Sequence, residues 1–311
     1  MTPSFRRTVP GLSLLWLGAL TVSLLVAGCV SSSRSPGQSS PATPGAPGEG
    51  ASQKQTPNVA PNSELIVASG TTIQARFLVP GGFVRVSVDA GSFAHHLHSL
   101  PLKAHGAEVK YFDGSVKTNK GVYEAVVDID VGTRDLQQCA DACMRLRAEY
   151  LFGRGRYDEL HFNFASGFRA DYPKWAEGYR VVVVGNVARW VKSAQPSRSY
   201  ADFRKYMDVV FSYANTVSLA AEMKSVGVGD MVIGDVFVDK GHALIVVDMA
   251  QSAAGNKKLF MIAQSYMPAQ DIQVLSNPGR PDISPWYELD FGDTLRTPQW
   301  TFTPGDLHRF R

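Results

Sequence analysis

Apolar residues fall into three regimes along the chain. Residues 12–26 are almost continuously apolar behind the basic pair Arg6 and Arg7. Residues 31–61 are Ser, Pro, Gly, Ala and Gln with almost no large apolar side chains. From about residue 62 onward, apolar positions alternate or recur at helical spacing. In this third region, β-branched and alternating runs predict strands at 65–69, 72–79 and 83–88, with Pro80-Gly81-Gly82 turning between the last two. Residues 92–100 predict a short helix capped by Ser92. Runs at 109–112 and 122–131 flank Asp113-Gly114. Alternation sets Asp128 and Asp130 opposite Val127, Ile129 and Val131, as a solvated face would.

Residues 135–150 predict a central helix, capped at Thr133 or Asp135. Cys139, Cys143, Leu146 and Tyr150 form an i, i+4, i+7, i+11 stripe, so Cys139 is expected about one turn inside the helix. A strand at 158–164, a helical turn at 172–177 and a hairpin at 180–192 around Gly185-Asn186 follow. Residues 199–226 carry the helical repeat of Phe203, Tyr206, Met207, Val210 and Phe211, with a break at Asn215-Thr216. Close-spaced strands at 231–238, 243–249 and 259–263 predict an antiparallel meander. The aromatic loops at 264–270, 283–287 and 297–302 are expected to pack back onto it.

The first two regimes set the domain plan. A basic start, an apolar run of signal-peptide length and the ending Val26-Ala27-Gly28-Cys29 define a secretory signal over 1–28 rather than a membrane span. Val-Ala-Gly-Cys resembles the bacterial lipobox, which implies acylation of Cys29 and a membrane partner through the lipid. Val30 in place of Asp implies sorting to the outer membrane, facing the periplasm. Segment 29–61 cannot bury enough surface to fold and reads as a tether, with a reach from roughly 30 Å as a coil to about 90 Å when extended. Residues 62–311 remain as one globular domain.

Charge excludes one class of partner. The formal net charge is +3 and falls to about +1 (3 − 2) without Arg6 and Arg7. That is no footprint for nucleic acid. Of the three cysteines, Cys139 and Cys143 would share a helix face with nearly parallel Cβ vectors, a poor disulfide geometry, so two free thiols are expected. They lack Cys-X-X-Cys spacing, which argues against a redox role. His95, His96 and His98 have no sequence-adjacent carboxylate or cysteine at ligand spacing, so neither a metal nor another cofactor is expected.

The segments 136–141 and 145–151, Gly234-Asp235, Gly241-His242, 263–270 and Ser284-Pro-Trp-Tyr287 together resemble an uncharacterised bacterial lipoprotein family, the domain of unknown function 4846, over about residues 73–310. More distantly, the order Gln138-Cys139, His242 and Gln264 or Ser265 resembles the papain-like cell-wall amidases of the CHAP and NlpC type. That resemblance implies an α+β, papain-like (CHAP/NlpC-like) fold: a helix packed on an antiparallel sheet, here preceded by a small β-rich part. It also implies Cys139 as nucleophile, with its thiol pKa lowered at the helix start, and His242 as base and acid. Gln264 would orient the ring, and the Gln138 amide would donate to an oxyanion. Thr216, Ser218 and Ser265 are alternative polar candidates, and the cysteine stripe also fits plain core packing.

Two functions stay open at this point. One is a tethered cysteine amidase or peptidase acting on peptidoglycan or envelope peptides. The other is a non-catalytic envelope module with an amidase-like fold. Protein partners and oligomeric state leave no mark in the sequence.

Overall fold

A computed structural model describes residues 63–311. The signal, the tether and Cys29 lie outside the described residues. Where a strand is expected over 72–79, the chain forms α1 (Ile73–Arg76), because the Thr72 hydroxyl accepts the Ala75 N–H and caps it. Ile73 and Phe77, four apart, are both buried, as a helical turn requires. β1 (Phe83–Arg85) is followed by α2 (Phe93–His98), whose Ser92 cap accepts the His95 N–H as expected. β2 (Tyr123–Val126) then leads to the central helix α3 (Cys139–Gly153).

The hairpin β3 (His161–Asn163) and β4 (Arg169–Asp171) precedes α4 (Tyr172–Ala176). β5 (Tyr179–Val184) and β6 (Val187–Lys192) form a separate ribbon turning through Gly185, whose φ of 57° suits glycine. The long helical stretch divides into α5 (Tyr200–Tyr213) and α6 (Thr216–Glu222), because the Asn215 side chain accepts the Ser218 N–H and starts a new helix.

The short β7 (Lys224–Ser225) precedes the meander of β8 (Val236–Val238), β9 (Ala243–Ser252) and β10 (Lys258–Gln264). β11 (Gln273–Leu275), β12 (Tyr287–Glu288), β13 (Leu295–Arg296), β14 (Thr301–Phe302) and β15 (Leu307–Arg309) complete the chain. The principal sheet runs β2-β11-β10-β9-β8-β15-β7, with β1 also on β9 and β12 also on β10. Its paired strands are antiparallel.

The architecture is therefore α+β, with α2 and α3 packed against β9. Residues 243–250 of β9 are all buried, without the alternation of a half-exposed strand, because both faces of the sheet are covered. Phe237, Phe260, Phe291 and Phe302 cluster beside it, and Trp286 is buried with its Nε1 donating to the Leu78 carbonyl at 2.9 Å. The segment expected to be β-rich is mixed instead: two of its four main elements are helices, and its two strands join the principal sheet.

Candidate functional site

The helix start places the thiol. Gln138 is the N-cap and Cys139 the first helical residue, so Cys139 sits at the helix mouth and not one turn inside. The expected cap Asp135 lies outside the helix. Its Oδ1 accepts the Ala269 N–H at 2.7 Å and the Gln138 Nε2 at 3.0 Å. The Gln138 N–H donates to Asp141 Oδ2 at 3.1 Å, which anchors the first turn. Cys139 is 5% exposed and Cys143, one turn on, 0%; both are free thiols.

A turn places the imidazole at the entrance of β9. Asp239 Oδ1 accepts the N–H groups of Gly241 (2.7 Å) and His242 (2.8 Å), while the Asp239 N–H donates to the His242 carbonyl. Trp300 Nε1 donates to the other Asp239 oxygen at 3.0 Å, and its indole rests on Gly241. A Cβ at position 241 would lie 2.7 Å from the Trp300 ring, so this approach requires glycine. The His242 ring is enclosed by Tyr266 (4.9 Å between centroids) and Trp300 (5.3 Å).

Sheet register supplies the third member. On β10, beside β9, Gln264 presents Oε1 to His242 Nε2 at 2.7 Å, and both residues are 1% exposed. With α3 lying on β9, the Cys139 sulfur meets the backbone N–H of Ala243, the residue that follows His242. The structure thus joins the His242 ring to Gln264 and sets the Cys139 thiol against the backbone of the residue that follows His242.

Electrostatics correct one expectation. Burial pushes the Cys139 thiol above the ordinary range, and the N–H groups of Ala243 and Ala140 only partly offset it. Desolvation outweighs the helix-start field that favours a thiolate. Burial likewise lowers the His242 pKa, against the opposing pull of Gln264 and Asp239, while nearby Lys117 lowers it further. Thiol and imidazole are both held toward their neutral forms.

The other candidates occupy structural positions. The Ser265 hydroxyl lies between the carbonyls of Gln137 (3.0 Å) and Gln270 (2.8 Å), tying the approach to α3 to the loop after β10. Thr216 donates to the Lys240 carbonyl, and the Ser218 hydroxyl accepts the Asn215 N–H within the α6 cap. The Gln138 amide is engaged with Asp135. The carboxylate missing near the histidines in sequence is supplied by the fold: Asp248 lies 2.7 Å from His98. Among the described residues, no group of three or more His, Cys, Asp or Glu is placed to hold a metal ion.

Sequence reasoning missed Lys117. It is 2% exposed, and its Nζ donates to Gln270 Oε1 and Gln299 Oε1, both at 2.9 Å, and to Gln273 Oε1 at 3.4 Å. Among the described residues no carboxylate lies within ion-pair distance of it, and burial lowers its pKa to about 8. A lysine in a polar loop carries no sequence signal. Polar Gln264, Gln270 and Gln273 in an otherwise apolar stretch do.

The profile of a family described as a domain of unknown function (4846) matches residues 73–309. No curated protein and no solved structure matches the chain.

Proposed function

The chain belongs to the domain of unknown function 4846 family, and from the site itself we propose that it is a lipid-anchored envelope cysteine hydrolase of papain-like architecture. It cleaves amide bonds in peptidoglycan or other envelope peptides. The observations that support this reading are the Cys139 thiol at a helix start against the Ala243 N–H, and, one residue before Ala243, a His242 ring whose Nε2 meets Gln264.

In this reading, substrate displaces the Tyr266 cover and binds at the mouth of α3. His242 takes the Cys139 proton as the sulfur attacks the amide carbon, giving a tetrahedral oxyanion at the N–H groups of the helix start. The C–N bond breaks, the leaving amine takes the proton from His242, and a thioester to Cys139 remains. His242 then removes a proton from water as it attacks the thioester, releasing the carboxylic acid and restoring the thiol. Gln264 holds the ring throughout.

A second reading, a non-catalytic envelope-binding module, is favoured by the burial of all three side chains and by the raised thiol pKa. Analysis of muropeptides released from purified peptidoglycan decides between them. Cleavage by wild type and not by Cys139→Ala supports the hydrolase; no cleavage by either, with retained binding of the wall by both, supports the module.

A further inference from the structure

Among the described residues, Lys117 is the only cation in the polar network that ends at His242, and donor–acceptor polarity propagates outward from it. A lysine ammonium carries donors and no acceptor. Each of its three glutamine partners must therefore turn an oxygen toward it, and each does, through Gln270 Oε1, Gln273 Oε1 and Gln299 Oε1. Secondary bonds agree with that orientation: Gln273 Nε2 donates to Gln270 Oε1 at 3.1 Å, and Gln270 Nε2 donates to the Pro268 carbonyl at 3.0 Å.

The same logic runs through Gln299. Its oxygen, fixed by Lys117, can only accept, so Gln264 must offer it the amide nitrogen, and Gln264 Nε2 donates to Gln299 Oε1 at 3.0 Å. That turns Gln264 Oε1, an acceptor, toward His242 Nε2 at 2.7 Å. A ring nitrogen facing an acceptor at that distance must carry the hydrogen. In the neutral ring, the lone pair is then at Nδ1.

We propose that Lys117 is a positioning residue that sets the His242 tautomer: through Gln299 and Gln264 it confines the ring proton to Nε2 and leaves Nδ1 as the base. Its catalytic meaning rests on the hydrolase reading, in which Nδ1 takes the Cys139 proton; the tautomer itself does not depend on that reading. The lysine is suited to the task because it lacks a counter-ion. With no carboxylate within ion-pair distance among the described residues, its hydrogens go to the three glutamine oxygens it orients. Its 2% exposure keeps water from substituting as a partner of either polarity.

The experiment is nitrogen-15 NMR of the imidazole of His242, assigned by comparison with His242→Gln, in four folded proteins below pH 8: wild type, Lys117→Met, Gln299→Met and Gln299→Glu. Wild type is expected to show one tautomer, protonated at Nε2. Lys117→Met and Gln299→Met, which keep side-chain length but break the chain of polarity, are expected to lose the single tautomer and show both ring forms. Gln299→Glu, whose oxygens can accept from both Lys117 and Gln264, is expected to retain the wild-type tautomer. The contrast of Glu with Met at 299 separates polarity from packing. Should Lys117→Met fail to fold, Gln299→Met, at a partly buried position, carries the same test.

A wild-type His242 protonated at Nδ1, or an unchanged single Nε2–H form in the methionine variants, overturns the proposal. Peptidoglycan cleavage by the same proteins reports separately on the hydrolase. The expected tautomers without wild-type cleavage would leave the positioning role standing and remove the enzyme.

Discussion

Asp248 and His98 meet at 2.7 Å inside the fold, one on the central strand β9 and the other at the last position of α2. The approach is a close polar contact rather than a well-aligned hydrogen bond at Nε2. The second Asp248 oxygen takes the Arg85 Nε at 2.8 Å, so this carboxylate, 0% exposed, clamps β1 and α2 to the sheet.

Replacing Asp248 by Ala is expected to leave His98 and the Arg85 Nε without their carboxylate, while the Arg85 Nη groups keep the Gln74 and Phe77 carbonyls. The loss should be about 3 to 5 kcal/mol, as for breaking a buried ion pair by removing one side. Urea denaturation measures it. Asp248→Asn, which keeps a partner for each, should lose less.

Gln264→Leu removes the acceptor for His242 Nε2 and the donor to Gln299. The expected cost is about 1 to 3 kcal/mol for unsatisfied buried polar groups. On the proposed hydrolase reading, peptidoglycan cleavage should fall by roughly 10²-fold or more, since an unheld base loses its contribution. Denaturation midpoint and product release together test it. Ser265→Ala, which touches neither ring nitrogen, should affect stability much more than cleavage per folded molecule.

Tyr266 stands over His242 and couples electrostatically to Cys139. Trimming it to Ala should open the thiol and raise the rate of iodoacetamide labelling at fixed pH by about tenfold. In wild type the labelling profile should lie at higher pH than that of an exposed cysteine, because burial raises the Cys139 pKa. A wild-type profile below the ordinary thiol range would instead reveal a thiolate–imidazolium pair.

Asp141, at the third position of α3, has its carboxyl pushed up from 3.8 to about 8 by burial. A carboxyl raised in the folded state leaves more protons bound to the fold than to the unfolded chain between those values. Stability from this group is therefore fullest below about pH 4 and declines as pH rises toward 8. Asp141→Asn keeps an acceptor for the Gln138 N–H. It should flatten the decline and gain about 1 to 3 kcal/mol at pH 8, the helix-start field having already softened the penalty. Urea titrations at pH 5 and pH 8 give the comparison.

How much of this was legible in the sequence depended on the range of the interaction. The β5–β6 hairpin, the Ser92 cap, the break at Asn215 and the meander were readable because turn and cap chemistry is local. The 72–79 segment was misread because β-branched Thr72 and Ile73 suggested a strand, whereas the Thr72 hydroxyl serves as a cap. The start of α3 was placed too early because Asp135, a natural cap, is taken by Ala269, far along the chain. Cys139, His242 and Gln264 stood out by type and order. Lys117 and Gln299 could not, since what makes them notable is the company the fold gives them.

The spacing of the two cysteines on α3 has a practical consequence. Cys143 is packed in the core while Cys139, one turn earlier, is at the helix mouth near the half-buried Tyr266. The folded body thus carries its own calibration. Labelling of a single sulfur reports opening of the site, labelling of both reports loss of the whole core, and the two rates from one sample give the free-energy gap between local breathing and unfolding.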